Sequence, residues 1–179
     1  MDVNNSSSES ISDTNSGSED ENESIVKKVF KKYAGGSKTM SLKQFTNVIA
    51  NLSLHLKGIS TEKDNIDAVY YFFISGKSQM DLDCFKRWWL SPDKISFFGK
   101  KSRNLLRAFK LYKKYSSIRK KGEISDIRKM DIKEFTMLLE DLGLTEKDDE
   151  IQEEEFDLVD TDGDGTLSFR EFCDWLSWF

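Results

Sequence analysis

Four carboxylates fall within twelve residues near the C-terminus, in the run Asp160-Thr161-Asp162-Gly163-Asp164-Gly165-Thr166-Leu167-Ser168-Phe169-Arg170-Glu171. Asp160, Asp162 and Asp164 alternate, so a loop that turns through them aims three side-chain oxygens at one point. Gly165 permits the positive φ such a turn needs, and Thr166 offers its backbone carbonyl. Ser168 would reach the same point through a water, and Glu171 closes the sphere with both oxygens. Carboxylates this close repel one another strongly without a cation. All-oxygen donors, high coordination and a bidentate glutamate favour calcium over magnesium, which prefers a tighter octahedron. The alternative is an acidic turn that binds nothing; the apolar periodicity on both sides argues against it.

The elements that must hold this loop recur along the chain. An apolar residue, Ser or Asp, an apolar residue, two free positions and Phe appear as Met40–Phe45, Met80–Phe85, Met130–Phe135 and Leu167–Phe172. Val48, Trp88, Leu138 and Trp175 follow three residues after each Phe, and an amphipathic segment precedes each motif. Four such copies at intervals near 40 residues predict a repeated helix–loop–helix unit. The Ser or Asp stands where the second helix starts and can cap a free backbone N–H. Gln44, Glu134 and Glu171, three positions on, complete a capping box in three of the four copies. The apolar residue before each cap is expected to form a short strand with its counterpart in the neighbouring unit.

On these residues the chain resembles the EF-hand superfamily, the group that includes calmodulin, troponin C and myosin light chains. The repeat covers roughly 25–179, but the liganding pattern is present only in the last unit. The resemblance implies an all-α fold of two pairs of hands, each pair with a short two-stranded β contact. The expected organisation is a disordered acidic Ser-rich tail over 1–24, a metal-free pair over 25–90, a linker over 91–101 and a calcium-holding pair over 102–179. The first two loops, 34–44 and 74–84, are a residue shorter, carry Lys within and end in Gln44 and Cys84. An ammonium in place of a carboxylate repels the ion. In the third unit Glu134 holds the closing position, yet the stretch 113–129 is too long and basic. Capping accounts for Glu134 without metal, and the insertion 116–129 is either a partner loop or inert.

Charge is segregated behind a net of −5. Seven acids and no base lie in 1–24, eleven bases and no acid in 94–121, and 140–160 is acidic apart from Lys147. The basic and acidic stretches can pair across the fold or face a partner. Nucleic acid is disfavoured because the chain as a whole is acidic. No apolar run approaches a membrane span, and the N-terminus lacks the pattern of a secretory signal. Two cysteines, Cys84 and Cys173, make no disulfide framework, so a reducing, cytoplasmic setting is the expectation. His55 is the sole histidine, and Gly35-Gly36-Ser37 lacks P-loop spacing, so no catalysis is expected.

Four tryptophans lie on second helices of the units: Trp88, Trp89, Trp175 and Trp178. Core packing accounts for Trp88 and Trp175. Trp89, Trp178 and Phe179 are surplus to it and are the candidates for contact with a protein target, a helical segment in a groove. The family resemblance implies one calcium ion and a sensor or adaptor role. The rivals are a light-chain-like structural subunit with one stabilising ion, and a calcium buffer.

Overall fold

The computed structural model describes residues 17–99, 102–116, 129–144 and 149–177. Helices α1 (Gly17–Ala34) and α2 (Leu42–His55) flank strand β1 (Thr39–Met40), and α3 (Lys63–Ile74) and α4 (Leu82–Trp89) flank β2 (Met80–Asp81). A 3-10 turn (Ser96–Phe98) leads to α5 (Ser102–Tyr115), α6 (Ile132–Leu142), α7 (Asp149–Val159) and α8 (Phe169–Leu176). The fold is all-α, with a single small sheet among the described residues.

Each second helix starts where the repeat places it. Ser41, Asp81, Asp131 and Ser168 accept from the N–H three residues on, and Gln44, Glu134 and Glu171 complete capping boxes in α2, α6 and α8. Helix α4 lacks the return bond because Cys84 stands at its third position. The residues before the caps pair as expected. Met40 lies opposite Met80 in the β1–β2 ladder, and Met130 bridges Leu167. All four of these side chains are fully buried, so each pairing is sealed from water.

After its polar first turn, helix α3 is apolar on every side from Ala68 to Ile74, as a helix surrounded by others must be. Ile66, Ala68, Val69, Tyr70, Phe72, Phe73 and Ile74 are all buried. It packs against α2 and α4 of its own half and also against α5 and α8. Tyr71 stacks on Phe109 of α5 at 5.9 Å, and the Arg170 guanidinium of α8 lies 4.4 Å from the Phe72 ring centroid. One contiguous apolar core therefore runs through the described residues of both halves.

Two boundaries differ from expectation. The first helix begins at Gly17, not after residue 24. Its register is fixed by Val26, fully buried, and by Glu23, whose carboxylate accepts from Lys86 Nζ at 2.6 Å and Lys27 Nζ at 2.9 Å. The rest of the expected tail, 1–16, lies outside the described residues. The segment expected as a linker packs onto the body as far as residue 99. Phe98 is buried with its ring 6.4 Å from Trp88, and Phe97 stands 5.4 Å from Phe73. A spacer with two phenylalanines next to an apolar helix gains more by burial than by standing clear.

Candidate metal centre

Helix α7 ends at Val159, and the chain turns through the acidic loop before Ser168 caps α8. Gly165 adopts φ +81°, which a side chain would resist. The turn brings carboxylate oxygens of Asp160, Asp162 and Asp164 within 4.8 Å of one another. The loop's own amides hold all three side chains in place, Asp162 through its Oδ1, which accepts from Asp164 N–H at 3.2 Å. Gly165 N–H donates to Asp160 Oδ2 at 2.7 Å, and Asp164 N–H to Asp160 Oδ1 at 3.2 Å. Thr166 N–H donates to Asp164 Oδ1 at 3.0 Å.

Glu171 is buried beneath the loop. Its Oε1 accepts from Thr161 N–H at 3.0 Å, the Thr161 hydroxyl at 2.9 Å and Asp162 N–H at 3.3 Å. Its Oε2 accepts from Ser168 N–H at 2.8 Å, the return bond of the capping box. Ser168 is buried too, and its hydroxyl accepts from Glu171 N–H at 3.3 Å. The structure thus gathers the three aspartates at one point and holds Glu171 on the amides of Thr161 and Asp162 in the same loop.

The electrostatics bear the mark of like charges crowded together. Burial, then the carboxylates of Glu171 and Asp164, push the Asp162 carboxyl above its ordinary value. Burial also acts against the Glu171 anion, but hydrogen bonds from Ser168, Thr161 and Asp162 outweigh it and hold its carboxyl low. At Asp164, burial is outweighed by the Lys129 ammonium and by Thr166, and the carboxyl is again lowered. An all-oxygen, all-acidic donor set with one member still repelled by its neighbours fits a hard divalent cation, calcium before others.

The pairing across loops supplies a contact that sequence spacing did not reveal. Lys129 Nζ forms an ion pair with Asp164. The signal was present in the expected pairing of Met130 with Leu167, which sets Lys129 beside the acidic loop.

Residues 152–177 match the family model described as an EF hand domain. The unit from α7 to α8 is an EF hand. No curated protein sequence matches the chain.

The remaining expected residues are placed as follows. Trp89 is half-buried, stacked on Phe85 at 5.6 Å with Lys94 Nζ 6.0 Å from its ring. Trp178 and Phe179 lie outside the described residues, as does the insertion between Ser116 and Lys129. Glu134 does return to its cap, its Oε2 accepting from Asp131 N–H at 3.1 Å. The basic helix α5 finds acids within the chain: Lys113 Nζ is 3.0 Å from Asp64 and Lys114 Nζ 3.1 Å from Asp141. Cys84 and Cys173 are buried free thiols, and burial raises both above their ordinary range. No helix among the described residues is long and apolar enough to cross a membrane.

Proposed function

We propose that the chain binds one calcium ion in its last hand, through Asp160, Asp162, Asp164, the Thr166 carbonyl, Glu171 and a water on Ser168, and transmits binding to a protein partner. The observation that carries this reading is the convergence of Asp160, Asp162 and Asp164 in a loop whose backbone already orients them. A bound ion supplies a divalent positive charge that offsets the mutual repulsion of these carboxylates. The first three units are proposed to be hands that have lost their ligands and keep the fold.

The chain's own residues provide the switch. Glu171 is the third residue of α8, so an ion that draws its carboxylate from the amides of Thr161 and Asp162 pulls on the start of that helix. Phe169 and Phe172 on the same helix pack on Tyr112 at 5.3 Å each, and Arg170 covers Phe72. A turn of α8 therefore moves side chains of α5 and α3. Exposed apolar residues such as Met137 on α6 and Leu158 on α7 give the C-terminal half a surface for a helical target.

A constitutive subunit is the second reading, favoured by the dense packing of α8 against both α3 and α5. Calorimetric titration of the full chain tests the site, with a stoichiometry of one expected; two comparable sites would reinstate the third unit. Hydrophobic-dye binding and tryptophan emission separate the roles. A calcium-dependent rise in dye binding supports the sensor, and no change with calcium establishes the static subunit.

A further inference from the structure

We propose that Lys129 is a tethered cation: it neutralises Asp164 while the loop holds no ion and must be displaced for calcium to bind. The inference rests on the reading of the last loop as a calcium site. Three placements carry it. The Lys129 ammonium sits on Asp164 Oδ2 while Thr166 N–H takes Oδ1, so both oxygens of a ligand-position carboxylate are engaged by donors of this chain. The backbone next to Lys129 is fixed to the loop itself, since Met130 N–H donates to the Leu167 carbonyl at 3.0 Å and Leu167 N–H returns the bond at 2.7 Å. The stem lies beside the second unit. A methyl group added at Gly76 would stand 3.6 Å from Lys129 Cε and Nζ and 3.4 Å from Ser168 Cβ.

An exposed ion pair between two free side chains is worth little. This one differs in its surroundings. Asp164 shares a space of a few ångströms with Asp160 and Asp162, so a positive charge beside it relieves repulsion from two further carboxylates. The same charge opposes an arriving divalent cation for the same reason. One residue thus has two effects of opposite sign, holding the ion-free loop together and weakening the ion's grip. The third unit's contribution to the site is a cation that competes with the ligand, placed by the strand pairing that joins the two loops.

The test compares wild type, Lys129→Met and Lys129→Arg as full chains. Calcium titration at low ionic strength should show Lys129→Met binding roughly tenfold more tightly, the scale of one nearby unit charge. The gap should narrow as salt is raised, and Lys129→Arg should match wild type. In chelator, Lys129→Met should melt below wild type, because the crowded carboxylates have lost their counter-ion. Equal or weaker calcium binding by Lys129→Met overturns the proposal, and an unchanged melt in chelator overturns its stabilising half. If neither wild type nor Lys129→Met binds calcium, the reading of the loop itself falls. If both bind equally, only the role of Lys129 does.

Discussion

Tyr112, in α5, donates its hydroxyl proton to the backbone carbonyl of Leu167, 2.8 Å away in the acidic loop. Tyr70 in α3 does the same for Met40 at 2.9 Å and also accepts from Met80 N–H at 3.3 Å. Each half thus has a buried tyrosine that ties a helix to the strand contact between its two loops. In both, the carbonyl belongs to a motif residue paired across the loops.

These bonds have a measurable worth. Tyr112→Phe and Tyr70→Phe each remove buried hydroxyl bonds and should each cost about 1–2 kcal/mol. Chemical denaturation in chelator measures both. Calcium affinity should fall for Tyr112→Phe alone, because only that bond reaches the acidic loop.

Glu171→Gln keeps the shape and the capping box but removes a charge and the bidentate grip. Calcium affinity should drop at least about tenfold by calorimetry. The melting temperature in chelator should fall modestly, since the single glutamine oxygen that keeps the bond from Ser168 leaves the amides of Thr161 and Asp162 facing an NH2 group. A variant that binds calcium as wild type does would remove Glu171 from the site.

Phe98→Ala tests whether the stretch between the pairs belongs to the core. Loss of a buried phenylalanine beside Trp88 should cost about 3 kcal/mol. With α3 packed on both α5 and α8, urea unfolding should remain one transition by circular dichroism and by tryptophan emission. Two separated transitions would show that the pairs unfold on their own.

Glu23 gives a pH signature. The Lys86 and Lys27 ammonium groups hold its carboxyl at about 2 against an ordinary value of 4.5. A lowered folded value stabilises the fold above the ordinary value, and that stability is lost as pH falls through about 4.5 towards about 2. Glu23→Gln should therefore melt slightly below wild type at pH 7 and coincide with it near pH 2. Scanning calorimetry across that range checks it.

Much of this was legible in the residues because the signals were local. Ser41, Asp81, Asp131 and Ser168 announce helix starts through their own side chains, and Gln44, Glu134 and Glu171 answer within one turn. Met40, Met80, Met130 and Leu167 could be paired because each precedes a cap by one residue. The acidic loop is a pattern of twelve consecutive positions. What escaped was non-local. Lys129 and Asp164 are 35 residues apart, and no periodicity links them. The start of α1 was hidden because an acidic, serine-rich stretch resembles a tail until Lys86, 63 residues on, is brought to Glu23. Helix α3 did carry its signal, since apolar residues on all sides call for neighbours on all sides, but the identity of those neighbours depends on how the pairs assemble.

The placement of α3 has a consequence for hydrogen exchange. An ion that binds only the folded chain lowers the population of every open state in which its loop is lost. Because α3 of the N-terminal half shares its packing with α8, opening that half disturbs the helix that follows the acidic loop. Amide protons buried in α1 through α4, far along the chain from any carboxylate ligand, should then exchange with solvent at rates that slow as calcium rises.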